Sequence, residues 1–278
     1  MVRLARSEAH VGPIAAGFWR LALAAPVLIL FAARTERDRP RPRAAMLTIA
    51  IGGVAFAADL AFWHLGILHT RLSNATLLGN ITALTFPMYG FLVARMWPSG
   101  RQWTALALAG AGAVLLLGRS YELAATNLAG DLACIVAGLS YTAYLIALAR
   151  AQGRLGPATT LALSVLTGMP LLLLLAMVLG EPVWPQSWTP LLLLALGSQL
   201  FGQGLILLAV ARASPLLVGV MLLVQPVVAS IIGWIVYGER LNLLDLIGGA
   251  AVAAAVLLVR ERRPAALPGD AAPLSSHP

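Results

Sequence analysis

The sequence has little cysteine, little charge and no lysine. Its single cysteine, Cys134, has no partner for an internal disulfide, and no ligand spacing typical of a metal site occurs, so we expect no cofactor. Only 11% of the 278 residues are charged whereas 60% are hydrophobic, and the mean hydropathy is +0.86. A soluble protein could not cover so much apolar surface, which predicts membrane lipids as the surroundings. Because arginine loops at a membrane explain the basic balance, we expect no nucleic-acid partner.

Long apolar runs are abundant. A membrane-spanning helix needs about 20 mostly apolar residues, and short polar or Pro/Gly breaks separate runs of that kind along the whole chain. These runs predict nine spans, at 14–33, 46–68, 75–95, 102–118, 130–149, 158–179, 190–211, 215–237 and 242–259. The expected fold class is therefore all-α, a polytopic membrane protein.

The arginines predict the orientation of these spans. If the loop 34–45 is cytoplasmic, most loop arginines lie on that side, as the positive-inside tendency requires. The arginines left on the other side are Arg3, Arg6, Arg71, Arg119 and Arg240. The tail 260–278, rich in Pro, Ala and Ser, is predicted to be a disordered cytoplasmic segment.

Two halves of the sequence resemble each other. The string LARSEAHVGP, which ends at Pro13, returns as LARAQGRLGP, which ends at Pro157. At a similar offset, Phe62, Pro87, Arg101 and Gly110 match Phe201, Pro226, Arg240 and Gly249. We interpret 1–118 and 130–259 as two copies of one unit, the first of which lacks its opening helix. A unit of five helices crosses the membrane an odd number of times, so its second copy is inverted, an arrangement typical of secondary transporters.

The closing stretch QPVVASIIGWIVYGERLNLLDLIGGAAVAAAVLLV, from Gln225 to Val259, resembles the last helix pair of EamA-type proteins in the drug/metabolite transporter superfamily. The stretches GFWRLALAAPVLIL, from Gly17, and LTFPMYGFLV, from Leu84, are similar to the second and fourth helices of that family. The resemblance implies a ten-helix, five-plus-five inverted-repeat fold in a bacterial cytoplasmic (inner) membrane. It also implies transport of small metabolites such as amino acids.

Polar residues at mid-span depth are the candidate substrate-binding residues, because they are costly in lipid unless they face a cavity or a partner. Asp59 is the sharpest candidate, as a proton or cation handle, and Trp63 lies on the same helix face. Residues beside Pro87 and Pro226, where freed carbonyls could bind a ligand, and amides at the matching depth of the second half extend the set. Tyr141 completes it, because its shared face with Tyr144 could form a stacking wall, ordinary packing being the alternative. The candidates are Asp59, Trp63, His64, Asn80, Thr85, Tyr141, Gln199, Gln203 and Gln225.

Other interpretations of these residues stay open. Asp59 could pair with Arg20 as a structural element, although the favoured role of Arg20 is to reach the lipid headgroups. A packed, hydrogen-bonded histidine is an alternative for His64, and interhelical hydrogen bonding is one for Thr85. Small residues such as Gly112 and Gly248 predict close helix packing and offer a face for a homodimer.

The leading functional hypothesis is a secondary transporter, working as an exporter of a small-molecule substrate and open to proton coupling. A lipid-linked carrier flippase of the same fold is the first alternative. An intramembrane enzyme is disfavoured because the sequence contains neither HExxH nor GxSxG. An inactive remnant, short of one helix, is the remaining alternative.

Overall fold

The computed structural model describes residues 10–70, 72–117, 125–228, 231 and 243–259, and contains no strand in these ranges. Its helices in chain order are α1 (Pro13–Thr35), α2 (Arg43–His69), α3 (Leu72–Gly79), α4 (Thr82–Ala94), α5 (Gly100–Leu117), α6 (Leu128–Ala151), α7 (Pro157–Val178), α8 (Thr189–Leu194), α9 (Gln203–Arg212), α10 (Pro215–Leu222) and α11 (Leu243–Val259). A π-helical segment, Ala195–Gly202, joins α8 to α9. The fold class is thus all-helical, as the sequence predicts.

Several helical stretches have the length and hydropathy needed to cross a membrane. Six of them are Pro13–Thr35, Arg43–His69, Asn74–Ala94, Ala125–Ala151, Pro157–Val178 and Thr189–Arg212, and shorter apolar helices lie at Pro215–Val228 and Leu243–Val259. Their bounds follow the predicted spans closely, and α5 follows the predicted span 102–118. The second part of the predicted span 215–237 and the predicted tail 260–278 lie outside the described residues.

Large apolar side chains cover the outside of the helix bundle. Leu92 is 77% exposed, Val178 73% and Phe201 68%. In water this surface would be unstable, whereas in the hydrocarbon core of a bilayer it is solvated by lipid tails. The exposed apolar surface and the apolar helices together describe a multi-pass membrane protein.

The two span prolines behave differently. Pro226 lies four residues after Leu222, where α10 ends, as expected for a proline ring that clashes with the carbonyl four residues before it. Pro87, in contrast, lies inside the continuous helix α4. The sequence predicted freed carbonyls for ligand binding at both prolines. At Pro87 this is wrong, because α10 packs there: a Cβ on Gly219 would lie 2.7 Å from the Ala83 carbonyl oxygen.

The third span is interrupted instead at Asn80 and Ile81, between α3 and α4. The Asn80 side chain donates a hydrogen bond from Nδ2 to the Thr76 carbonyl oxygen, 2.8 Å away. Gly79 lets the ring of Trp63 approach, since a Cβ there would lie 2.4 Å from Trp63 Cζ3. The interruption places polar backbone and an amide side chain at the depth where the candidate residues of α2 lie.

A glutamate after α1 caps the start of α7. The Oε1 atom of Glu36 accepts a hydrogen bond from the Ala158 N–H at 3.0 Å. Its Oε2 atom accepts hydrogen bonds from the Thr159 N–H at 2.9 Å and from the Thr159 hydroxyl at 2.7 Å. These N–H groups have no acceptor within their own helix, so the carboxylate satisfies them and complements the helix dipole.

A second glutamate makes the reciprocal cap. Glu181, which follows α7, accepts hydrogen bonds at Oε2 from the N–H groups of Ile14 and Ala15 at the start of α1, both at 2.9 Å. The end of each helix therefore lies beside the start of the other, and α1 and α7 are antiparallel. Glu36 and Glu181 fix the two ends of this helix pair.

Small residues let other helices approach closely. A Cβ on Gly248 of α11 would lie 2.9 Å from the carbonyl oxygen of Gly112 of α5, and one on Gly168 of α7 would lie 2.8 Å from the carbonyl oxygen of Gly53 of α2. The predicted close packing at Gly112 and Gly248 is confirmed, whereas a homodimer face stays a prediction.

Candidate functional site

A polar cavity of about 300 Å³ lies beside the interrupted third span. It is bounded by α1, α2, α6, α9 and the end of α10, together with the turn between α3 and α4. Its lining residues are Arg20, Phe56, Asp59, Leu60, Trp63, Thr76, Gly79, Asn80, Thr82, Tyr141, Gln203, Leu222 and Gln225. Charged, amide, hydroxyl and aromatic groups from distant parts of the chain therefore meet in one place.

Two opposite charges lie in the wall of this cavity. Arg20 of α1 and Asp59 of α2 both line it, and each lies close enough to the other to interact electrostatically. Both side chains are half-buried, because part of their surface faces the cavity. Opposite charges inside a bilayer stabilise each other, and such pairs commonly mark a substrate or ion pathway.

Two further contacts hold the guanidinium of Arg20. Its Nε donates a hydrogen bond to Oε1 of Gln199, 3.1 Å away. Its Cζ atom lies 5.5 Å from the centre of the Phe56 ring, a cation–π contact. The headgroup role predicted for Arg20 is wrong, because these partners and Asp59 compensate the cost of keeping the charge inside the helix bundle.

Aromatic rings form one side of the cavity. Phe56 stacks on Tyr144 with ring centres 4.7 Å apart and planes at 24°. The ring of Tyr141 lies 6.3 Å from Phe56 and 5.9 Å from Tyr144. Tyr144 is fully buried behind the other two rings. The tyrosines of α6 thus pack with Phe56 of α2, and a role of these rings as a stacking wall for a ligand stays a prediction.

Amide side chains complete the polar lining. Asn80 is fixed by its hydrogen bond to Thr76. Gln203, which is 6% exposed, lines the cavity, and its Oε1 atom has no hydrogen-bond partner among the described residues. Gln225 is exposed and follows the break in the Pro226 span. Together these groups offer both donors and acceptors to a small polar molecule.

The structure brings most of the predicted site residues together. Asp59, Trp63, Asn80, Tyr141, Gln203 and Gln225 line the cavity. Gln199 is fully buried behind Arg20. Their participation in substrate binding stays a prediction.

Two predicted site residues lie away from the cavity wall. His64, 5% exposed, packs against α1, since a Cβ on Gly17 would lie 3.5 Å from His64 Cε1. The Thr85 hydroxyl lies 2.6 Å from the Thr142 hydroxyl and joins α4 to α6. Thr85 matches the interhelical hydrogen bond considered for it. His64 is packed as considered for it, but its Nδ1 atom has no hydrogen-bond partner among the described residues.

Sequence reasoning missed several lining residues. Phe56 and Leu60 lie on the same face of α2 as Asp59 and Trp63, so helical periodicity alone could have suggested them. Leu222 and Gly79 carried no signal in the sequence; in the structure each is the last residue of its helix, α10 and α3 respectively.

Residues 2–118 and 128–260 match the family described as "EamA-like transporter family". The chain belongs to this family. This match confirms the resemblance of the closing stretch to EamA-type proteins. The EamA-like chain is therefore a member of a family of transporters.

Individual relatives of this EamA-like chain are more distant. It is 29% identical to the threonine/homoserine exporter RhtA of Escherichia coli (strain K12) over 181 residues, which are 64% of this chain and 61% of that exporter. It is 28% identical to RhtA of Salmonella typhimurium (strain LT2), with the same coverage. The matched region therefore spans less than two thirds of the relatives' length.

A solved crystal structure has the same fold. It aligns with a TM-score of 0.79 over 92% of the EamA-like chain and 92% of its own, at 19% sequence identity. Because the identity is so low, this likeness concerns the fold alone.

Proposed function

We propose that this EamA-like chain is a secondary transporter that exports small zwitterionic metabolites, amino acids among them, across the bacterial cytoplasmic membrane. The observation that carries the proposal is the cavity in which Arg20 and Asp59 face one small volume. A molecule with a carboxylate and an ammonium group complements these two charges. A zwitterion offers each of the two side chains a charged partner in addition to the other, whereas an apolar molecule offers neither of them one and a singly charged molecule offers only one.

Each group of the substrate has a matching partner. The guanidinium of Arg20 suits a carboxylate, since its N–H groups form parallel hydrogen bonds to the two carboxylate oxygens. The carboxylate of Asp59 suits an ammonium group. Asn80 and Gln203 offer hydrogen bonds to a polar side chain, and the ring of Tyr141 offers apolar contact. A volume of about 300 Å³ suits a ligand of amino-acid size.

The names of the relatives support the exporter role. RhtA of Escherichia coli and of Salmonella typhimurium is a threonine/homoserine exporter. Both of those substrates carry a carboxylate and an amine. At 29% identity we transfer only the class of substrate, amino acids, from these exporters to this chain and not the individual amino acid.

The packing beyond the cavity supports alternating access. On the predicted cytoplasmic side, α4 packs directly on α10: a Cβ on Gly90 would lie 2.7 Å from Pro215 Cβ, and one on Gly219 would lie 2.5 Å from Pro87 Cγ. Such glycine-to-proline contacts close this end of the path without side chains that must be displaced. We propose that separation of α4 from α10 opens the cavity to the cytoplasm.

The test is transport by the purified chain in reconstituted vesicles. Labelled amino acids, their carboxamides and their decarboxylated amines are offered separately, with efflux and uptake both recorded. We expect the amino acids to move fastest. Arg20→Gln and Asp59→Asn each remove one counter-charge, worth about 1.5–3 kcal/mol, so we expect transport at low substrate concentration to fall about tenfold or more.

The control for these variants is Asp38→Asn, which removes an exposed carboxylate from the loop after α1. We expect it to transport like the unmodified chain. The proposal is overturned if the unmodified chain moves none of the amino acids, or if it moves the amines and carboxamides equally well.

A further inference from the structure

The helical stretch Thr189–Arg212 changes its winding at the depth of the cavity. Residues Ala195–Gly202 are π-helical, between the α-helical segments α8 and α9. π-helical turns inside α-helices are rare and occur frequently at functional sites. This segment carries Gln199, whose side chain is fully buried and reaches across to α1.

The contact that Gln199 makes is specific in its atoms. Its Oε1 accepts a hydrogen bond from Nε of Arg20 at 3.1 Å. Among the described residues, Arg20 makes no other hydrogen bond, so its two terminal amino groups have no hydrogen-bond partner in that part of the chain. The Phe56 ring lies against the guanidinium at 5.5 Å and restricts its tilt.

We propose that Gln199 is a positioning residue for the substrate carboxylate. By holding Arg20 through Nε, it directs the two terminal amino groups to the cavity, where they bind both carboxylate oxygens. This inference rests on the proposed function, because it assigns a carboxylate-bearing substrate to the cavity. Gln199 acts through Arg20 and does not itself contact the substrate.

A glutamine suits this role better than a glutamate. An amide oxygen accepts the hydrogen bond and leaves the positive charge of Arg20 available to the substrate. A carboxylate at the same position would neutralise that charge and compete with the substrate carboxylate.

Burial of the Gln199 amide destabilises the folded chain. Nε2 of Gln199 and Oγ of the neighbouring Ser198 are buried without a hydrogen-bond partner among the described residues. An unsatisfied buried polar atom is destabilising. A leucine at position 199 would avoid that cost, so the acceptor for Arg20 is the feature of Gln199 that offsets it.

The test compares Gln199→Leu and Gln199→Glu with Ser198→Ala, a matched control in the same π-helical segment. Transport kinetics in vesicles give KM and the maximal rate for an amino acid. We expect both Gln199 variants to raise KM about tenfold, equivalent to about 1.4 kcal/mol, with the maximal rate within about twofold. We expect Ser198→Ala to leave both constants nearly unchanged.

A second comparison separates positioning from a general structural role. In an Arg20→Gln background the Gln199→Leu change has no guanidinium left to position, so we expect no further rise in KM. If the rise in KM in the double variant equalled the product of the rises in the two single variants, the inference would be overturned. Equal KM values for Gln199→Leu, Gln199→Glu and the unmodified chain would also overturn it.

Failure of the proposed function has a different signature. If the unmodified chain moves no amino acid, the proposed function fails. The contact between Arg20 and Gln199 is then tested by thermal unfolding in detergent. We expect the loss of Tm in the Arg20→Gln, Gln199→Leu double variant to be smaller than the sum of the single losses. Additive losses would refute the coupling of Gln199 to Arg20 without any transport measurement. Gln199→Met, which has nearly the same shape and no oxygen acceptor for Arg20, replaces Gln199→Leu in this comparison if the leucine variant does not fold.

Discussion

The two glutamate caps between α1 and α7 lead to a quantitative prediction for Glu36→Gln. Glu36 is 5% exposed, and its carboxylate accepts three hydrogen bonds from Ala158 and Thr159. A glutamine at position 36 keeps one acceptor oxygen but replaces the other by an NH2 group, which cannot accept hydrogen bonds from Ala158 or Thr159. It also removes the negative charge at the helix N-terminus.

The expected loss follows from these contacts. Hydrogen bonds to a charged group contribute about 1.5–3 kcal/mol, and a helix cap contributes about 0.5–2 kcal/mol. Because glutamine retains part of the cap, we expect a net loss of about 2 kcal/mol in the free energy of unfolding. For a chain of this size that corresponds to a fall in Tm of about 4–8 °C.

The same contacts set the pH dependence. Burial alone would raise the pKa of Glu36, but the hydrogen bonds from Thr159 and Ala158, with the nearby charge of Arg39, hold that pKa below its ordinary value of 4.5. A carboxyl group with a lowered pKa stabilises the folded state above the ordinary pKa and loses this contribution as the pH falls through the lowered value. The difference in Tm between Glu36→Gln and the unmodified chain should therefore be constant at neutral pH and shrink below about pH 4.5.

The assay is thermal unfolding of the full purified chain in detergent, at about pH 7 and below about pH 4. Asp38→Asn is the control, since it removes a carboxylate from the same loop without breaking a cap. Glu181→Gln is the corresponding variant for the opposite cap and should show a smaller fall at neutral pH, because Glu181 is half-buried and accepts two hydrogen bonds at a single oxygen. A Tm of Glu36→Gln equal to that of the unmodified chain, or an equal fall in Asp38→Asn, would refute the reasoning.

Two further predictions concern the same cap and the cavity. Gly156→Ala places a Cβ 2.0 Å from Cδ of Glu36, so it should displace the carboxylate and lower Tm as much as Glu36→Gln does. Gly100→Ala, whose Cβ would have no atom within 4 Å, should leave Tm unchanged. Additive losses of Tm in a Gly156→Ala, Glu36→Gln double variant would contradict a shared mechanism. Asp59→Asn should abolish the response of transport to a pH gradient in vesicles if Asp59 carries the coupling proton. An unchanged pH response with residual transport would exclude that role.

Most span positions could be predicted from the sequence, because a helix must be long and apolar enough to cross the bilayer wherever it packs. The predicted span 14–33 corresponds to α1, and the span 158–179 to α7. Span prolines were a partial signal: the break after α10 lies where the ring of Pro226 would clash, whereas the same local clash does not interrupt α4 at Pro87. The inverted relation of the two halves stays a prediction.

The cavity was partly predictable. Asp59 and Trp63 are four residues apart, so helical geometry places them on one face, and both line the cavity. Arg20 and Thr85 show the limit of this reasoning. Each has a partner on a distant helix, Gln199 and Thr142 respectively, and the sequence does not show which polar residues of different helices meet.

The sequence by itself determined the helical class, the membrane environment and most span boundaries, since these depend on the hydropathy of contiguous residues. Only the tertiary structure decided the burial of Arg20, the break at Asn80 and the reciprocal caps of Glu36 and Glu181. Those features depend on helix packing that joins residues far apart in the chain. A charged residue in lipid requires a partner, and the fold, not the local sequence, supplies it.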